Sequence, residues 1–262
     1  MALKALLIDI DGTLVFRNEA IAGANLALRE AKAAGLAVRL LTNISARLPH
    51  QIAAELRACG IDVDERDIQT AGTACRAYLR RQPAASCHLL VPEAMATLFE
   101  DVPRDDSKPD FVVIGDVAQR FDYGLLNGVF CMLREGAQLL VPHRNLYWFD
   151  GSGPPRLDAG AFILGLEAAA GCSAIVTGKP SAVFFQAALD ALGVRADEAM
   201  VVGDDVLTDI AGARAAGLAS ALVRTGKGEA APQPGAAQPD MALRSIAELM
   251  TRLRDAGLLS AG

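Results

Sequence analysis

Continuous apolar runs alternate along the chain with stretches whose apolar positions recur at helical spacing. Lys4–Ile10 (KALLIDI) is an apolar run ending in acid, the pattern of a strand buried on both faces. Ala20–Ala34 has the Ala, Leu, Glu and Lys content of a helix and is stopped by Gly35. Ala37–Thr42 (AVRLLT) is the next strand, and Ser45 is placed to cap a helix that runs to Cys59 and stops at Gly60. The same rhythm returns towards the C-terminus. Ala174–Thr177, Met200–Val202 and Ser220–Val223 read as strands, and helices follow the first two near Ser181–Leu192 and Asp209–Ala216. An amphipathic helix over Leu243–Leu253 closes the pattern.

The middle of the chain carries its own strands, His88–Val91, Phe111–Ile114 and Gln138–Val141, and its own helices near Glu93–Phe99, Tyr123–Arg134 and Ala159–Ala170. Gln82-Pro83 and Gly151–Pro155 read as turns or linkers, and the Pro/Ala-rich Gly228–Pro239 as a loop. Such alternation predicts an α/β fold: a Rossmann-like, doubly wound parallel sheet with helices on both faces and a smaller α/β domain inserted into it. The expected core is residues 1–79 and 175–262, and the expected insert residues 80–174.

Composition narrows the function classes. Of 262 residues, 52% are hydrophobic and 21% charged, enough apolar mass for packed cores. The net charge of −6, without a basic stripe, argues against nucleic acid as a partner. No apolar run reaches the roughly 20 residues that span a bilayer, so no membrane partner is expected. Two Asp interrupt the N-terminal run and no small-residue cleavage site follows it, so a strand is expected there and not a signal peptide. The five Cys form no CxxC pair and read as reduced thiols, which points to a cytoplasmic protein.

Acids and phosphate-binding groups gather at four predicted strand ends. Asp9-Ile10-Asp11-Gly12-Thr13-Leu14 places two carboxylates two positions apart, where like charges need a cation or a shared proton. A hard divalent ion such as Mg²⁺ supplies that cation. Thr42-Asn43 offers a hydroxyl and an amide for phosphoryl oxygens, although the pair also starts turns. Thr177-Gly178-Lys179-Pro180 places one positive charge, with Pro180 suited to the first turn of a helix, although taken alone Lys179 reads better as an exposed surface lysine. Val201-Val202-Gly203-Asp204-Asp205, followed by Asp209, ends another strand in acid. Ligands of open α/β sheets bind at the carboxyl ends of strands, so the four signals converge on one edge.

In that order and spacing the residues resemble the haloacid dehalogenase-like phosphohydrolases. Asp9–Leu14 is similar to the family's first motif, Thr42-Asn43 to the second, Lys179 to the third, and Gly203-Asp204-Asp205 through Asp209 to the fourth. The long insert between Thr42 and Lys179 resembles the subfamily IIA arrangement, with a type 2 cap, and in particular the phospholysine phosphohistidine inorganic pyrophosphate phosphatase-like group. The resemblance implies a Mg²⁺-dependent phosphatase acting on a small phosphorylated substrate. Asp9 would be the nucleophile and Asp11 the acid and base. Thr42, Asn43 and Lys179 would bind the phosphoryl group. Asp9, the Asp11 backbone carbonyl and Asp204 would hold the metal, with Asp205 and Asp209 orienting its water or Lys179. The resemblance also allows a homodimer, which no sequence feature selects.

In the cap, His143, Arg144, Asn145, Tyr147 and Trp148 are candidate contacts for the leaving group, while Tyr147, Trp148 and Phe149 read better as cap core. Two rival classes fit the residues less well. Gly226-Lys227-Gly228-Glu229-Ala230-Ala231 formally fits a dinucleotide-binding GxGxxA, but Pro232 and Pro234 break the helix that motif needs. A non-catalytic interaction module on this fold has no need of the complete acid set. Sugar phosphates and nucleotides remain as alternative substrates.

Overall fold

The computed structural model describes residues 2–82, 84–149, 154–229 and 235–259. The chain begins with β1 (Ala5–Asp9), a small hairpin of β2 (Val15–Phe16) and β3 (Glu19–Ala20), α1 (Ala24–Ala33) and β4 (Ala37–Thr42). It continues through α2 (Pro49–Ala58), β5 (Ile68–Thr70) and α3 (Ala71–Arg80). Next come β6 (Cys87–Leu90), α4 (Glu93–Ala96), β7 (Phe111–Ile114), α5 (Tyr123–Arg134) and β8 (Gln138–Val141). The hairpin of β9 (Tyr147–Phe149) and β10 (Pro155–Leu157) leads to α6 (Ala159–Ala170) and β11 (Ile175–Val176). The last stretch is α7 (Ala182–Leu192), β12 (Ala199–Gly203), α8 (Ala211–Ala215), β13 (Ala219–Val223), β14 (Met241–Leu243) and α9 (Leu249–Asp255).

These elements form two compact units. The first comprises Met1–Thr42, Pro49–Thr70 and Lys179–Gly262. Its sheet has six parallel strands in the order β14-β13-β12-β1-β4-β5. The central strands β1 and β12 are buried along their whole length, as a parallel sheet covered by helices requires. From β1 the chain adds β4 and β5 on one side, then returns to add β12, β13 and β14 on the other. The strand order therefore reverses beside β1, and such a switch opens a crevice at the carboxyl ends of the flanking strands.

The second unit comprises Asn43–Leu48 and Ala71–Gly178. Its four-stranded parallel sheet runs β11-β8-β7-β6. One face packs Val129, Leu133, Ile163 and Leu166 of α5 and α6. The other packs Cys75 and Leu79 of α3 with Met95 and Phe99. Among the described residues, no helix is long and apolar enough to cross a membrane. Residues 83, 150–153 and 230–234 lie outside the described residues, so the expected turn at Pro83 and parts of both loops lie there too.

Several local expectations shift. Ser45 does not cap α2, which starts at Pro49, a residue pre-set for the first helical turn. The Ser45 hydroxyl instead lies 3.4 Å from His143 Nε2. Pro180 sits before the helix, where Ser181 caps α7 by accepting the Val183 N–H at 3.3 Å. The helix expected from Asp209 is preceded by a π-turn over Val206–Ile210, and α8 proper begins at Ala211.

Candidate active site

β1 ends on Asp9 and β12 on Gly203, side by side at the strand-order reversal, with Ile8 paired to Val202. On the other flank Asp9 pairs with Leu41, so Thr42 ends β4 one residue further on. Past Asp9 the chain turns tightly: Leu14 N–H and Val15 N–H both donate to the Ile10 carbonyl, and Gly12 adopts a φ of 87°. That turn carries Asp11 to an exposed position two residues beyond Asp9.

Four buried charged groups meet at this edge. Lys179 Nζ donates to Asp9 Oδ1 and, at 2.7 Å, to Asp209 Oδ1. Asp9 Oδ2 also accepts the Thr13 hydroxyl at 3.3 Å. Asp209 Oδ2 accepts the Asp205 N–H at 3.2 Å, and Asp204 Oδ2 accepts the Lys227 N–H at 2.7 Å. Asp9, Asp204 and Asp209 each place one oxygen within 4.8 Å of the others, and all three are buried.

Burial pushes the Asp9 carboxyl well above its ordinary range; Lys179 opposes the shift and Asp209 adds to it. Burial also raises Asp204, to about 6. Burial works against the Lys179 ammonium, yet Asp209 and Asp9 outweigh it and raise its pKa. Asp9 and Asp209 thus share one buried ammonium, and Asp204 brings a third carboxylate to the same cluster. A hard cation with oxygen ligands at about 2.1 Å sets opposite oxygens about 4.2 Å apart. The three buried carboxylate oxygens, all within 4.8 Å of one another, are the hard donors such an ion takes, so the residues fit a divalent cation.

Glycines make the room. A Cβ on Gly12 would strike the Asp204 carboxylate, and one on Gly203 would strike that of Asp209. Gly12→Ala combines this collision with a left-handed φ. We expect it to cost about 1–3 kcal/mol, read as a lowered melting temperature in a calorimetric scan. An unchanged transition would contradict the close packing of Asp204 on this turn.

Of the residues singled out from the sequence, Asp9, Asp204 and Lys179 share this cluster with Asp209, and Thr42 ends the neighbouring strand. Asn43 opens the second unit. Sequence reading misses Thr225 and Lys227, which follow β13 and bond to Gly12 and Asp204. A signal exists, since Thr225-Gly226-Lys227 follows a fifth strand end, but its glycine spacing draws attention only as a nucleotide loop.

Within the second unit, His143 is buried with its Nδ1 3.9 Å from Asp158 Oδ2. Arg144 is held by Glu167, which also accepts the Ala174 N–H at 2.6 Å. The Asn145 carbonyl accepts the Gly160 N–H at 3.0 Å. Tyr147 is 58% exposed and is therefore not a core aromatic. The side chains of Trp148 and Phe149 lie outside what the structure describes.

The family model described as haloacid dehalogenase-like hydrolase matches residues 6–102, and one described as HAD-hydrolase-like matches residues 176–249. The chain is 35% identical over 226 residues to haloacid dehalogenase-like hydrolase domain-containing protein 2 of Homo sapiens, covering 86% of each chain. It is 35% identical over 230 residues to phospholysine phosphohistidine inorganic pyrophosphate phosphatase of Mus musculus, covering 86% of this chain and 84% of that one. Its fold matches the crystal structure of 4-nitrophenylphosphatase from Thermotoga maritima with a TM-score of 0.81 and 26% identity, covering 95% and 97% of the two chains. The chain belongs to the haloacid dehalogenase-like hydrolases, in subfamily IIA, and is a phosphatase of that family.

Proposed function

We propose that the chain hydrolyses a small phosphorylated substrate through an aspartyl-phosphate on Asp9. The observation that carries this reading is the buried Asp9–Lys179–Asp209 chain beside Asp204 at the strand-order reversal. A carboxylate oxygen of Asp9 forms the bond to phosphorus as the bond to the leaving group breaks. Asp11, exposed on the turn two residues on, gives the leaving group its proton and then takes one from the water that cleaves the acyl phosphate. Lys179 fixes the Asp9 carboxylate and, with the Thr42 hydroxyl and Asn43, binds phosphoryl oxygens. Asp205 and Asp209 orient these groups: Asp209 grips Lys179 and accepts the Asp205 N–H. Asp9, Asp204 and the Asp11 backbone carbonyl would hold a magnesium ion, which would supply the positive charge that phosphoryl transfer requires.

Likeness to the mouse phosphatase supports phosphohistidine, phospholysine or inorganic pyrophosphate as the substrate class, with sugar phosphates and nucleotides as the alternative. A panel of these compounds, compared by kcat/KM, tests the choice. We expect the N-phosphoryl compounds or pyrophosphate to lead by about tenfold or more, a difference of about 1.4 kcal/mol in transition-state binding. A sugar phosphate or nucleotide at the top would replace the substrate assignment. Background release across the whole panel would contradict the small-substrate reading.

The cation part has its own check. Mg²⁺ should raise the melting temperature of the wild-type protein and leave that of Asp204→Asn unchanged, because only the former keeps the full carboxylate cluster. Equal shifts in both proteins would place the ion elsewhere.

A further inference from the structure

The loop after β13 touches both acid loops of the site, although none of its residues has a chemical role in the reaction proposed above. Thr225 Oγ1 donates to the Gly12 carbonyl at 2.5 Å. The Lys227 backbone N–H donates to Asp204 Oδ2 at 2.7 Å, and Lys227 Nζ pairs with Asp205 Oδ2 at 2.7 Å. Between them Gly226 has a φ of 53°, and a Cβ there would strike the Asp204 carboxylate and the Gly12 backbone. One three-residue turn from β13 therefore binds the loop after β1 to the loop after β12.

We propose that Thr225-Gly226-Lys227 is a positioning clamp that sets the affinity of the cation site. Its N–H occupies one oxygen of Asp204 and so selects the other for the ion. Its hydroxyl fixes the Gly12 peptide, directly adjoining the Asp11 carbonyl assigned to the metal. The three contacts differ in weight. The Lys227 side chain is 74% exposed, so its ion pair contributes little. The Lys227 N–H and the Thr225 hydroxyl carry the clamp, because Asp204 is buried and Thr225 half-buried. Groups that orient a ligating carboxylate typically change metal affinity by about 10–100-fold when removed.

The inference rests on the proposed cation site, and the test separates the two. Mg²⁺ binding is titrated calorimetrically on the full chain as wild type, Thr225→Val, Thr225→Ser and Asp204→Asn. We expect Thr225→Val to weaken the Mg²⁺ Kd about tenfold or more, and Thr225→Ser, which keeps the hydroxyl, to stay within about twofold of wild type. In turnover, Thr225→Val should raise the half-saturating Mg²⁺ concentration while the substrate KM at saturating Mg²⁺ stays put. Thr225→Ala serves the same comparison should the valine variant not fold. Wild-type affinity in Thr225→Val or Thr225→Ala, with binding lost in Asp204→Asn, overturns the clamp alone. Wild-type affinity in Asp204→Asn overturns the cation site itself.

Discussion

Asp9→Asn is expected to lose turnover by about 10⁴-fold or more while remaining folded. The substitution is close to isosteric and removes the attacking oxyanion. The amide oxygen it introduces can still accept from Lys179, so that contact need not be lost. Stability should hold or rise in the metal-free protein, because burial already disfavours the Asp9 charge and Asp209 and Asp204 add to the strain. Neutralising Asp9 relieves both. Phosphate release and a melting curve on the same preparation read the two effects together. Substantial phosphatase activity in a folded variant would remove Asp9 from the nucleophile's place.

The second large effect is removal of the divalent cation. Asp9 and Asp209 share the ammonium of Lys179 and Asp204 adds a third carboxylate, so the cluster is net negative where an anionic phosphoryl group must arrive. At about 4 Å and an effective dielectric of about 20, each uncompensated charge pair costs about 4 kcal/mol. That is about 10³-fold in rate per pair. Exhaustive chelation should therefore suppress turnover by at least about that factor, with recovery on adding Mg²⁺ back. Rates unchanged after chelation would contradict the cation's role.

Much of this arrangement is legible in the sequence, and the reason differs from place to place. Phe111–Ile114 and Gln138–Val141 match β7 and β8, and Tyr123–Arg134 and Ala159–Ala170 match α5 and α6, because compact apolar runs and amphipathic stretches mark them clearly. β5, α3 and β14 escape sequence reading. β5 and β14 are three residues long, and the six-stranded parallel sheet stabilises them more than their own composition does. The acids stand out because charge at the end of an apolar strand is locally anomalous. Thr225 and Lys227 do not, because the contacts that tie them to Gly12 and Asp204 are a hydroxyl on a distant carbonyl and a backbone N–H, and the latter has no side-chain signature. Ser45 reads as a cap because a hydroxyl before a helix usually is one; its partner His143 lies 98 positions away in sequence. The Cα space that Gly12, Gly203 and Gly226 leave for the carboxylates likewise emerges only in three dimensions.

The central claim is that Asp9 itself carries the phosphoryl group. It is tested most directly by acid-quenching the wild-type protein during turnover, reducing the acyl phosphate with borohydride, and sequencing the N-terminal peptide by mass spectrometry. Nucleophilic attack by Asp9 predicts homoserine at position 9 in substrate-treated, Mg²⁺-loaded protein, and unmodified aspartate there without substrate. Unmodified Asp9 during active turnover, or the alcohol at another acidic residue such as Asp11 or Asp204, would contradict it.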